Sequence, residues 1–231
     1  GVPLNNAIYR GGHLQNVLTI DPASLESVEI VYGPGSVVYG SDALGGVMHF
    51  HTMKPLFSET DTLLIKTNSY ARYFSAANGY SGHTSLNLGW KRWSSVTAFT
   101  YSHFGDLTQG KVRTVKYPDF GERTFYVERI NDTDSMMVNP NKNKQVGSAY
   151  SQYDILQKIA FKQNDHVVHT LNMQLSNSSD INRYDRLTQT KNGLPRFSEW
   201  YYGPQFRSLI NYDLSITKKS KLCDQVKATI S

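Results

Sequence analysis

Residues 25–52, LESVEIVYGPGSVVYGSDALGGVMHFHT, decide how this chain is read. Two β-prone runs enclose a segment containing Gly33, Pro34, Gly35, Ser36, Tyr39, Gly40, Ala43, Gly45 and Gly46. Glycine supplies φ > 0 or lets another backbone approach, and neither a core helix nor an amphipathic strand needs it so often. The stretch therefore specifies a strand, a tight glycine-bounded turn, a small-residue segment and a second strand. Gly33-Pro34-Gly35-Ser36 is not a phosphate cradle, because no helix opening on Lys-Ser/Thr follows it.

Downstream of residue 62 the pattern changes to alternation at period two, the mark of strands with two unlike faces. In 167–177, Val167, His169, Leu171, Met173 and Leu175 alternate with Val168, Thr170, Asn172, Gln174 and Ser176. In 206–217, Ile210, Tyr212, Leu214 and Ile216 oppose Arg207, Asn211, Asp213 and Ser215, with Leu209 breaking the pattern. Weaker alternation over 63–74, 84–91, 93–104, 150–162 and 222–231 brings the expected total to seven strands. Their connections alternate in length: a modest loop at 75–82 and long ones at 106–148 and 185–200 against short ones at 91–94, 163–166 and 218–221. A soluble sandwich has no need to gather its short turns at one end, whereas outer-membrane barrels do. Tyr117, Phe120, Phe125, Tyr126 and Val127 mark the longest connection as partly ordered rather than a linker.

Composition sets the outer bounds. The 231 residues are 39% hydrophobic, and no run approaches the roughly 18 apolar residues of a membrane helix. A transmembrane barrel escapes that test, since only every second residue meets lipid. The 15 Tyr suit interfacial girdles as well as an ordinary sandwich. A net charge of +5 is scattered, with no basic stripe, so nucleic-acid binding is unsupported. Cys223 is the single cysteine, which removes an intrachain disulfide and a cysteine-rich metal site. No nucleophile elbow, Walker loop, H-E-x-x-H or paired-carboxylate motif is present, and no enzyme is expected.

The glycine-rich run resembles the end of the plug domain of TonB-dependent outer-membrane receptors. Val28, Glu29, Ile30, Gly33, Pro34, Ser36, Tyr39, Gly40, Ala43, Gly45, Gly46 and Val47 stand in register with that family's signature, while Tyr32 replaces its usual basic residue. GERTFYVERIND, VNPNKNKQVGSAYSQYD, NRYDRLT and EWYYGPQ are similar to Bacteroidetes-like members. The resemblance implies an all-β fold, a membrane β-barrel with a small α+β plug: residues 1–60 as the C-terminal half of the plug, and 61–231 as the first seven or so strands of a barrel of roughly 22. GVPLNNAIYRGG does not begin as a signal peptide does, and the chain reads as a fragment with further strands to follow. A strand leaving a periplasmic plug goes up first, which places every long connection outside the cell.

The same resemblance implies import of a scarce nutrient across the bacterial outer membrane, energised by the inner-membrane TonB complex. Haem or another iron complex is the expected transported ligand, with no intrinsic cofactor and with outer-membrane lipid and a surface lipoprotein or haemoprotein as further partners. A siderophore, cobalamin or oligosaccharide is the alternative cargo; a passive porin or adhesin barrel and a soluble β-rich binding module are rivals from other classes. His13, in Gly-Gly-His-Leu-Gln-Asn, is the candidate axial ligand, since a plug histidine in a similar setting ligates haem iron in haem receptors of this superfamily. The competing reading makes it a plug-loop residue hydrogen-bonded to the barrel.

Arg183 and Arg186 lead into an outer loop, where their forks suit haem propionates or the salt bridges of a loop base. His49 and His51 share a strand face and could grip a metal, but the sequence offers no third ligand nearby. His166 and His169 flank a short turn and read as surface residues. Lys66, Arg72, Lys158 and Arg207 fall on the polar faces, where solvated pairs would line the lumen and hold the plug.

Overall fold

The computed structural model describes residues 2–4, 18–33, 35–40, 43, 45–217 and 223–231, the side chains of 36 and 38 excepted. Strands β1 (Leu25–Tyr32) and β2 (Gly46–Thr52) form an antiparallel hairpin around the glycine-rich run. Between them Ser36–Tyr39 makes one helical turn, where the sequence reading had only a small-residue segment. Gly33 and Gly40 carry φ of 90° and 95°, as their positions beside this turn require. The Gly35 N–H donates to the Ala43 carbonyl at 2.8 Å, folding the connection back on itself.

A strap of residues 53–63 leads from the hairpin to a seven-stranded antiparallel sheet. Its strands are β3 (Leu64–Phe74), β4 (Gly79–Gly89), β5 (Trp93–Phe104), β8 (Tyr150–Asn164), β9 (Val167–Ser178), β14 (Phe206–Thr217) and β15 (Gln225–Ile230), each paired with the next in that order. Consecutive pairing without crossover is what short turns and sharp alternation dictate. Short connections at 90–92 and 165–166 lie at one end, and the long ones at 105–149 and 179–205 lie at the other. β4 begins earlier than the alternation indicated, after a 3₁₀ turn at Ser75–Ala77 capped by Asn78 in the left-handed region.

The long connections hold structure of their own. β6 (Phe125–Ile130) and β7 (Thr133–Val138) make a hairpin, and the 179–205 segment contains β10 (Ile181–Asn182) paired with β13 (Tyr201–Tyr202) and β11 (Thr190–Lys191) paired with β12 (Leu194–Pro195). Asp106 fastens the base of the longer one, its Oδ1 accepting from the backbone N–H of Gly147, Ser148 and Ala149 at 2.9, 3.0 and 3.2 Å. The ordering expected from its aromatic residues is present. No helix among the described residues is long and apolar enough to cross a membrane.

Candidate functional site

The sheet buries its polar face. Leu86 is 38% exposed and its neighbour Asn87 5%; Ile155 is 39% and Asp154 8%; Ile210 is 60% and Asn211 5%. A water-soluble sheet with one covered face alternates in the opposite sense, apolar in and polar out. On the outward face, aromatic residues collect at both ends of the strands. Tyr73, Tyr80, Tyr101 and Tyr153 lie toward the long connections, and Trp93, its ring tilted against Phe161 at 4.5 Å, lies toward the short ones. Phe99, Ile155 and Leu175 form one of the rows between.

The inward polar face holds the segment before β1 and the strap after β2. Asp21 is buried as the cap of the 3₁₀ turn Pro22–Ser24, accepting from the Ala23 N–H at 2.9 Å and the Ser24 hydroxyl at 2.5 Å. The Thr100 hydroxyl of β5 also donates to it, at 2.7 Å. With that proton committed, the Thr100 oxygen accepts from His83 Nδ1 at 2.8 Å, a tautomer assigned by the network. The His83 ring stacks on Tyr70.

Nearby, the Arg207 fork donates through Nε and Nη2 to the Thr19 carbonyl at 3.1 and 2.9 Å, and Gln152 donates to the Leu18 carbonyl at 2.8 Å. On the strap, Asn87 both accepts from the Leu56 N–H at 2.9 Å and donates to its carbonyl at 3.1 Å, while Ser94 donates to the same carbonyl at 2.7 Å. A small apolar cluster of Val96, Ala98 and Leu156 receives Met53. Polar side chains facing backbone carbonyls are how a wall holds a separate segment without a continuous hydrophobic core.

Residues 1–47 match the family described as TonB-dependent Receptor Plug Domain. The plug match and the relatives that follow support a TonB-dependent receptor. The chain is 44% identical over 78 residues to a hemin receptor of Yersinia enterocolitica, a match covering 34% of this chain and 10% of that protein. It is 30% identical over 104 residues to the vitamin B12 transporter BtuB of Vibrio vulnificus, covering 45% and 14%, and 28% identical over 97 residues to a ferrioxamine receptor of Yersinia enterocolitica, covering 38% and 14%. The chain thus aligns with about a tenth to a seventh of the length of these relatives.

His13 and Pro34 of the sequence reading lie outside the described residues. Gly33, Gly35, Ser36, Tyr39, Gly40, Gly45 and Gly46 all fall in the hairpin connection or at the start of β2. Arg183 caps a helical turn at Tyr184–Leu187, and Arg186 lies within it. The Arg183 fork is taken up by Asp185, with Nε and Nη2 donating at 3.1 and 2.6 Å, which raises the guanidinium pKa and lowers that of the carboxyl. Arg186 lies over the Trp200 ring at 5.4 Å. Between this segment and β6–β7 is a cleft of about 440 Å³ lined by Arg123, Tyr126, Asn182, Tyr184, Phe197 and Tyr201 among others. Arg123 donates to the Tyr184 hydroxyl at 3.1 Å.

Of the charged residues expected in solvated pairs, Lys158 and Arg207 behave otherwise. Lys158 is buried and donates to the Thr52 carbonyl at 3.2 Å, and Arg207 is directed at a carbonyl of the covered segment. His166 bonds the Thr217 carbonyl and His169 bridges Tyr212 and Gln163, both structural roles. His49 and His51 gain the partner that the sequence did not show: register places Glu29 directly opposite His49. Burial, with the neighbouring His51 next, lowers the His49 pKa.

Proposed function

We propose that the whole receptor imports a scarce nutrient across the outer membrane of a Gram-negative bacterium, with haem or another iron complex as cargo. The carrying observation is the buried polar face: a sheet that turns Leu86, Phe99, Ile155 and Ile210 outward and closes its polar side on a hydrogen-bonded plug segment suits a lipid-embedded wall around a movable stopper. Strands 64–230 are then barrel wall, and the long connections with their aromatic cleft face outside. The plug contacts in reach of the wall are side chain to backbone carbonyl or hydroxyl, which water can replace one by one as the plug moves. The outer membrane has no nucleotide or gradient of its own, so the energy is assigned to the inner-membrane TonB complex. This is transport without chemistry on the cargo.

Haem is favoured over cobalamin and siderophores by the 44% identity to a hemin receptor and by His13 in its Gly-Gly-His-Leu setting. A neutral imidazole on a glycine-flanked loop is a good axial donor to iron. Titration of the detergent-purified full-length receptor with haem is expected to shift the Soret band, and His13→Ala to abolish the shift. Absence of a shift in the unmutated receptor would remove haem as cargo and direct the search to cobalamin and siderophores.

A further inference from the structure

We propose that the hairpin face formed by Glu29, His49 and His51 binds one divalent first-row transition-metal ion through two imidazoles and a carboxylate, a site independent of the import cargo. Period two sets His49 and His51 on one face of β2, and the antiparallel register sets Glu29 of β1 across from His49. His51 Nε2 stands 3.4 Å from one Glu29 carboxylate oxygen and His49 Nδ1 3.9 Å from the other. One ligand atom from each of the three lies within 4.8 Å of the others. Bonds of about 2.0–2.2 Å in tetrahedral array put ligand atoms roughly 3.2–3.6 Å apart, so small torsions of the three side chains close the set.

Two observations favour a metal over a plain ion pair. His51 Nε2 is buried and makes no hydrogen bond among the described residues, although the carboxylate is beside it. The two rings sit 4.1 Å apart, close enough that protonating both would set like charges together. Two imidazole rings closing on one strand face beside a carboxylate form a ligand set. Glu29 is 60% exposed, and an ion pair that open to water contributes little by itself. Two nitrogens and one carboxylate with remaining positions open suit zinc, cobalt, nickel or ferrous iron better than calcium or magnesium, which prefer oxygen. Access is available from a cavity of about 540 Å³ that His49 and His51 line together with Lys158 and Asp213.

The test uses the full-length receptor, stripped with chelator and titrated with Co²⁺ while visible d–d absorption is followed, then with Zn²⁺ as competitor. One Co²⁺ per chain is expected, displaced by Zn²⁺. Affinity should fall by about tenfold or more in each of Glu29→Gln, His49→Gln and His51→Gln, and stay unchanged in His166→Gln. No bands at stoichiometric Co²⁺ in the unmutated receptor overturns the proposal, and this arm does not depend on any variant folding. Bands of undiminished affinity in all three variants overturn it equally.

Discussion

Asp21 carries more of the plug's attachment than its size suggests. One carboxylate gathers the Ala23 amide, the Ser24 hydroxyl and the Thr100 hydroxyl of the wall, and through Thr100 it orients His83. Removing it in Asp21→Ala leaves buried donors without an acceptor, which costs about 1–3 kcal/mol. In the full-length receptor this is expected as faster proteolysis of the plug with the barrel intact; digestion at the rate of the unmutated protein would show that the tie carries no load. A carboxylate whose partner is 79 residues away is invisible until register brings β5 beneath it. Glu29 opposite His49 was hidden for the same reason.

At the scale of the elements, strands bounded by short polar turns were legible residue for residue: 93–104 and 206–217 are where alternation placed them. The start of β4 was not, because Gly79 and Gly82 read as loop. Gly79 instead allows a close approach, since a Cβ there would sit 2.5 Å from the His103 carbonyl of β5. The small pairings of two residues within 181–202 are too short for any periodicity to announce. Within the plug signature, Gly45 and Gly46 look alike in sequence but differ in the fold. Gly46 has φ +153° and a Cβ would meet the Val31 carbonyl at 2.8 Å, whereas among the described residues nothing lies within 4 Å of one at Gly45. Gly46→Ala should therefore cost about 1–3 kcal/mol of strain, read as loss of amide-exchange protection across β1 and β2, with Gly45→Ala keeping the protection of the unmutated receptor. Equal effects from both would count against the close contact.

For the whole molecule, the inverted burial of the sheet sets what the outward face tolerates. Ile155 lies in one outward row with Phe99 and Leu175, next to the Tyr101–Tyr153 pair and three outward positions from Phe161. Ile155→Arg is expected to cost about 2–4 kcal/mol in the folding of the receptor into lipid vesicles. A folding equilibrium unchanged by this substitution would mean that the row does not face hydrocarbon. The fold class itself was open to reading, because a barrel's two unlike faces are written directly into period two. Which segment fills the polar side was not, since the contacts are to backbone carbonyls that any sequence presents.

The grip on Leu56 has a mechanical consequence. Its N–H and carbonyl are bound to Asn87 and Ser94 by three hydrogen bonds at a single peptide position, and the Ser58 N–H adds a fourth to the Trp90 carbonyl two residues on. Tension arriving along the chain from the hairpin loads the three bonds at Leu56 in parallel, so they resist as a unit instead of unzipping in turn. The wall strand β3, which begins at Leu64, is shielded from that strain. The strap thus behaves as a strain-relief fitting, letting the hairpin be tugged while the first staves of the wall keep their register.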